Sequence, residues 1–284
     1  MTDLNNLRSR VAASAHSLPA QMFHIAGHLH RHGVISGIGK ALLKEVVFQQ
    51  DVRGPKLVDT LFSSSDEHWL KFVHRLLDVE TLKLFDSLYL DYPLEQGKAI
   101  SRQEREDNGM LTQKSLVYGE VDYLAFLATL RKIPIEPHWT FTDLGSGTGR
   151  AVFIARLNFD FSRCTGIEIL RGLHDAAADV CSNYNEFVRP VVSTTSTPLE
   201  ASFFHCSLLD LDWSHTDVCF ANSTCFDSAL IAAMAEKASA MRPGSYFITF
   251  TKPLPADIAP FDIVDKERRN MSWGPATVYI HQRR

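Results

Sequence analysis

From Leu4 to about Leu90 the apolar positions recur at helical spacing, as at Leu42 and Val46 and again at Leu70, Val73, Leu76 and Leu77, with few β-branched runs. This predicts a helical N-terminal region, broken at Gly33–Gly39 and at Arg53–Pro55. Tyr92-Pro93 closes its last helix, and the polar stretch Glu95 to Asn108 reads as a linker. Beyond it the pattern changes. Phe141–Asp143, Cys164–Glu168, Phe203–Cys206, Asp217–Asn222 and Ser245–Phe250 are short apolar runs separated by segments of helix length. Such alternation predicts βαβ units and a largely parallel sheet covered on both faces. The last two extended runs, Phe261–Arg269 and Ala276–Gln282, have no helix between them and predict an antiparallel pair appended to the sheet.

Composition narrows the classes. A chain of 284 residues with 45% hydrophobic content can bury one sizeable core and a smaller helical appendage. The expected protein is soluble and intracellular, nuclear or cytoplasmic, with no membrane span. The net charge of −4 lacks the basic excess of a domain that neutralises nucleic-acid phosphates, so direct DNA binding is not expected. Five cysteines, an odd number with no C-x-x-C pair, read as reduced residues. His24, His28, His30 and His32 include i, i+4 spacings, but no nearby carboxylate completes a metal set, and no metal is expected. Gly37-Ile-Gly-Lys40 lacks the spacing and preceding strand of a phosphate loop and reads as a break between helices.

The strongest local signal is Asp143-Leu-Gly-Ser-Gly-Thr-Gly-Arg150, directly after a predicted strand and before the helical run Ala151 to Leu157. Alternate glycines let the backbone turn tightly and approach a ligand with no Cβ in the way. The spacing is G-x-G-x-G, not the G-x-G-x-x-G of dinucleotide folds. The carboxylate before it suits a cationic sulfonium ligand better than a pyrophosphate. The next strand ends in Gly166-Ile-Glu168, at the distance where an acid meets the ribose hydroxyls of a nucleoside cofactor. The plainer alternatives are a structural glycine turn and a surface carboxylate.

Val117-Tyr-Gly-Glu120, the Asp143 loop, Gly166-Ile-Glu168, Asn222-Ser-Thr-Cys-Phe226, and Met271-Ser-Trp-Gly274 before Val278-Tyr-Ile-His281 occur in one order over most of residues 110–284. In this the chain resembles the Dot1 family of lysine methyltransferases. The resemblance implies an α/β class I methyltransferase (Rossmann-like) fold, a seven-stranded sheet with terminal antiparallel strands, in a domain at 109–284 that follows the helical region and linker at 1–108. It also implies S-adenosyl-L-methionine as cofactor. Carried over, Tyr118, Gly119 and Glu120 form a loop over its methionine part. Asp143, Leu144, Gly145, Ser146, Gly147, Gly149 and Arg150 cradle it, and Glu168 holds the ribose. Ser207 and Leu208 stand where the family has an Asp-Phe pair at the adenine, with Asp210 as a neighbouring acid. Asn222, Phe226 and Tyr279, with Tyr118, fall where the family forms the reaction centre and the channel for the target lysine. The family's Asn-Asn-Phe-Ala-Phe appears here as Asn222-Ser-Thr-Cys-Phe226, so the resemblance licenses the cofactor more firmly than the substrate.

The acceptor expected on this reading is a protein lysine, in a histone, a nucleosome or a non-histone protein. Residues 59–107 are more acidic than basic, unlike the basic segments that nucleosome-acting family members use for DNA. A small-molecule methyltransferase on the same scaffold and a non-catalytic cofactor-binding module are the alternatives, since fold does not fix substrate. Asn222 as a strand-end cap, and Trp273 and Tyr279 as core packing, also stay open. Oligomeric state is not legible.

Overall fold

The computed structural model of the protein describes residues 66–189 and 200–284. The histidines at 24–32, the breaks at 33–39 and 53–55 and the Gly37–Lys40 turn lie outside the described residues. The chain divides into two compact units, Met1–Phe85 with Leu157–Phe159, and Asp86–Arg156 with Asp160–Arg284. The spacing of Leu70, Val73 and Leu77 is that of the helix Asp66–Leu88 (α1). Among the described residues no helix is long and apolar enough to cross a membrane.

The second unit is built on a seven-stranded sheet: β1 (Thr140–Leu144), β2 (Arg163–Glu168), β3 (Glu200–His205), β4 (Val218–Ala221), β5 (Tyr246–Phe250), β6 (Phe261–Met271) and β7 (Gly274–Arg283). Their order is β3-β2-β1-β4-β5-β7-β6. The first five strands run parallel, and β7 is antiparallel to both β5 and β6. This is the class I methyltransferase arrangement, with the expected antiparallel ending. Central strands β4 and β5 are buried at every residue, as strands covered on both faces must be. The exposed strand β6 carries alternating charges from Asp265 to Arg268 and a register shift between Ile263 and Asp265. Both features discourage pairing with another edge.

Helices Leu94–Asp107 (α2), Tyr123–Leu130 (α3), Arg150–Asn158 (α4), Arg171–Asn183 (α5) and Ser228–Ala238 (α6) accompany the sheet. Asp122 caps α3 by accepting from the Ala125 N–H at 2.9 Å, and Asp227 caps α6 through Leu230 at 2.8 Å. Each cap satisfies a donor the helix leaves unpaired. One face of the sheet packs Phe126 against Phe220 at 4.6 Å between ring centroids, with Phe220 5.0 Å from Phe250.

The polar stretch expected as a linker is instead α2. Its buried positions are Gly97, Ser101 and Arg105, one face at i, i+4, i+8 spacing. Periodicity misses this face because it presents small groups and an arginine stem in place of branched apolar side chains. Glu104 on α2 also caps α5, accepting from the backbone N–H groups of Arg171 and Gly172, each at 2.7 Å.

Buried His281 on β7 donates from Nδ1 to the Phe247 carbonyl at 2.9 Å, and its Nε2 accepts the Leu254 N–H at 3.2 Å. This pairing requires the neutral ring, and burial pushes its pKa below the ordinary 6.5. The unfolded chain therefore takes up this proton first, so His281 contributes stability above about pH 6.5 that is lost as pH falls toward the folded-state pKa. We expect the melting temperature to fall between pH 7 and 5.5. In His281→Gln, which can donate and accept but not titrate, this share of the slope disappears.

Candidate functional site

The strand order reverses between β1 and β4, where the carboxyl ends of parallel strands leave a crevice in an open α/β sheet. The Asp143 loop leaves β1 there. Gly145, Gly147 and Gly149 have φ of +86°, +54° and +87°, conformations in which a side chain is strained. Gly145 and Ser146 donate N–H bonds to the Ile167 carbonyl at 2.8 and 2.9 Å, which ties the turn to β2. At Gly147 a Cβ would stand 2.2 Å from the Tyr118 ring, so the ring position depends on glycine there.

Glu168, at the end of β2, accepts from the Gly147 N–H and the Leu170 N–H, each at 2.8 Å. Burial raises its pKa and these backbone donors oppose the shift. Asp143 is more deeply enclosed: its Oδ1 has no hydrogen-bond partner among the described residues. Burial first, and then the charge of Glu168, hold its pKa well above the usual carboxylate range.

The Tyr118-Gly119-Glu120 loop lies across this turn. The Tyr118 hydroxyl donates to Glu120 Oε1 at 2.5 Å and is 2.8 Å from Thr148 Oγ1. Glu120 pairs with Arg150 Nε at 2.6 Å, and the Arg150 guanidinium stacks 4.3 Å from the Tyr89 ring centre and donates to the Tyr92 carbonyl. Burial, then Glu120, push the Tyr118 phenol well above its ordinary pKa, keeping it neutral. Helix α2 backs the loop, since a Cβ on Gly97 would meet the Tyr118 ring at 2.5 Å and Ser101 donates to the Leu116 carbonyl.

A cavity of about 380 Å³ opens beside these elements. Of the residues named from sequence, Tyr118, Gly119, Gly145, Glu168, Ser207, Leu208, Asn222 and Phe226 line it, joined by Trp273. Leu144 is in the core, and Asp143, Ser146, Gly147, Gly149, Arg150 and Glu120 form the frame behind the wall rather than the wall itself. Glu120, expected over the cofactor, is turned into its pair with Arg150. Tyr279, expected at the acceptor channel, lies outside the lining. It pairs with Thr249 and Lys266 inside the ladder, with the Lys266 ammonium 5.3 Å from its ring. Because β7 is antiparallel, its first residues stand near the carboxyl ends of β4 and β5, so Trp273 reaches the cavity and Tyr279 does not. Asp210 is exposed and off the cavity, and Ser207 Oγ accepts from the Leu209 N–H at 3.1 Å.

Sequence reasoning missed Ile169, Leu173, Thr224 and the 3-10 turn Lys114–Leu116 with its flanks. Ile169 was findable as the residue following the strand-end acid. The turn carried no signal, since only tertiary packing brings it to the cavity. Ser223 and Thr224, where the segment departs from the family pattern, are both engaged. Ser223 Oγ donates to the Phe250 carbonyl at 2.8 Å, and Thr224 Oγ1 donates to Asn222 Oδ1 at 3.1 Å. Asn222 Nδ2 donates in turn to the Gly119 carbonyl at 3.0 Å.

The cavity's chemistry is selective. Its carboxylate is Glu168, and no lysine or arginine lines it among the described residues, so a polyphosphate finds no counter-charge. Ile169, Leu170, Leu173 and Leu208 offer an apolar slot, and Glu168 keeps lone pairs beyond its two backbone bonds. A flat aromatic base, a diol and a cationic centre match these features, and the volume lies in the range of small-ligand sites.

The family model of the histone methylation protein DOT1 matches residues 100–269, more than half of the chain. A histone-lysine N-methyltransferase, H3 lysine-79 specific, of Dictyostelium discoideum is 26% identical over 178 residues, covering 57% of this chain and 10% of that protein. Its counterpart from Debaryomyces hansenii is 25% identical over 185 residues, covering 62% of this chain and 16% of that protein. The chain thus spans a small part of the length of these curated relatives. Among solved structures, TrmN from Thermus thermophilus aligns with a TM-score of 0.48 at 15% identity, over 60% of this chain and 52% of that one. With the family match spanning α2 to β6, across both the glycine turn and the Asn222 segment, the chain belongs to the DOT1 family of histone methylation proteins.

Proposed function

We propose that the protein transfers a methyl group from S-adenosyl-L-methionine to a lysine amine of a protein. The observation that carries this reading is the cavity at the sheet's switch point, with Glu168 as its carboxylate and Asn222, Phe226 and Trp273 on its wall. When bound, the cofactor supplies a methyl group on a sulfonium, which an amine attacks in line. Glu168 would hold the ribose hydroxyls, the leucine-lined slot the adenine, and the Gly119 and Gly145 backbone the amino-acid end. Phe226 and Trp273 exclude water, and in such surroundings the acceptor amine favours its neutral, nucleophilic form. Asn222 offers a fixed dipole without proton transfer, the Tyr118 ring closes the wall beside it while its hydroxyl is held by Glu120, and positioning at about 3 Å supplies the remaining advantage. We assign no general base.

The names of the two curated relatives make a histone lysine the first acceptor to test, with a nuclear location following from it. We place α2 in the same functional unit as 109–284, because its Gly97, Ser101 and Glu104 support the Tyr118 loop and α5.

The test is calorimetric titration of the cofactor, then radiolabelled methyl transfer onto nucleosomes, free histones and cell lysate, with Asn222→Ala as control. Cofactor binding with label on a protein, reduced at least tenfold in the control, is the expected result. Label on small molecules alone would replace the acceptor class. Binding without transfer to any acceptor would leave a cofactor-binding module.

A further inference from the structure

Thr251, just past the end of β5, adopts φ +65°, a left-handed conformation that a β-branched residue rarely takes. Its N–H donates to the Thr277 carbonyl at 2.7 Å, which holds the backbone there. Residues kept in such conformations cluster where a site needs a group in one place. The Thr251 hydroxyl is 3.1 Å from Thr224 Oγ1. Thr224 uses its single hydroxyl proton on Asn222 Oδ1, so the proton between the two threonines belongs to Thr251. The donor order is therefore Thr251 to Thr224, Thr224 to Asn222 Oδ1, and Asn222 Nδ2 to the Gly119 carbonyl. This order fixes which end of the Asn222 amide faces which loop and leaves one amide proton of Nδ2 beyond the Gly119 bond. Gly119 packs against Trp273, where a Cβ would approach the indole to 3.1 Å. The relay thus joins the ends of β4 and β5 to two walls of the cavity.

We propose that Thr224 and Thr251 are positioning residues that set the Asn222 amide and, through it, the Tyr118-Gly119 wall of the site. The inference deepens the methyltransferase reading and rests on it for its catalytic consequence, but its structural consequence is measurable without turnover. The experiment compares wild type, Thr224→Val, Thr224→Ser, Thr251→Val and Thr251→Ser by amide hydrogen exchange, by calorimetry with S-adenosylhomocysteine, and by methyl transfer. Valine keeps the β-branched shape and removes the hydroxyl, whereas serine retains the hydroxyl.

In Thr224→Val, exchange at Tyr118–Glu120 should quicken by roughly tenfold while the protected amides of β1, β4 and β5 stay as slow as in wild type. Ligand affinity and kcat should fall by about tenfold, with the acceptor KM changing less. Thr251→Val should show the same pattern at smaller amplitude, and both serine variants should restore it. Unchanged exchange at Tyr118–Glu120 together with unchanged ligand affinity in Thr224→Val overturns the proposal. So does quickened exchange throughout the sheet that serine fails to reverse, since that marks a general loss of packing. If no acceptor is methylated by wild type, the methyltransferase reading falls, while exchange and ligand affinity still decide the relay.

Discussion

Gly147→Ala should weaken S-adenosylmethionine binding by at least a hundredfold, about 2.7 kcal/mol, although it adds a single methyl group. That methyl would lie 2.2 Å from the Tyr118 ring, and the ring cannot withdraw, because a Cβ-free Gly97 already touches its other edge. The loop residue also has φ +54°, which costs a non-glycine residue roughly 1–2 kcal/mol. Forcing a methyl into a filled site adds typically 1–3 kcal/mol. Denaturant unfolding should therefore show a loss of about 2–5 kcal/mol, the sum of these two ranges. Gly109→Ala provides the control. Its φ is +67° but nothing lies within 4 Å of the added Cβ, so it should lose only the backbone contribution and bind the cofactor normally. Wild-type affinity in Gly147→Ala would show that the Tyr118 ring does not shape the site.

The second large effect is expected at Glu168. In Glu168→Gln the side chain keeps its shape but presents an NH2 group to one of the two backbone N–H donors, of Gly147 or Leu170, that now bind carboxylate oxygens at 2.8 Å. Hydrogen bonds to a charged acceptor are worth roughly 1.5–3 kcal/mol, so losing one and weakening those to a ribose should lower cofactor affinity by about a hundredfold. The pH dependence separates this role from a packing defect. Burial raises the Glu168 pKa, so the folded protein holds this proton at higher pH than the unfolded chain does. Acidification through the raised pKa therefore relieves a buried charge and adds stability, while it removes the acceptor that the cofactor uses. In wild type, cofactor affinity should fall as pH drops toward the carboxylate range, and in Glu168→Gln this dependence should be absent. Calorimetry across pH checks both, and parallel pH profiles in the two proteins would assign the ribose to another group.

Much of the site's frame was legible because it consists of local backbone chemistry. A glycine at every second position after an apolar run, with an acid one strand later, dictates a turn and a strand end wherever the chain folds into parallel βαβ units. The observed φ values at Gly145, Gly147 and Gly149 follow from that spacing. Side-chain direction was less legible. Glu120 reads as a cofactor contact within Tyr-Gly-Glu, yet Arg150, thirty positions on, turns it toward the frame. Tyr279 reads as a channel aromatic, yet it is Trp273 that lines the cavity, because β7 presents its beginning, not its middle, to the switch point. Helix α2 escaped detection because its inward face is glycine, serine and arginine.

The sequence by itself determined the alternation of strands and helices from β1 onward, the antiparallel ending, the glycine turn and the acid at the end of β2, since each depends on periodicity or on backbone freedom within a few residues. Tertiary structure alone decided which side chains face the cavity. It did so by setting which distant partner satisfies each buried polar group: Arg150 for Glu120, Thr224 and Gly119 for Asn222, Gly147 and Leu170 for Glu168. A buried donor or acceptor must find a partner wherever the fold brings one within reach, and that reach is a property of three-dimensional packing, not of spacing along the chain.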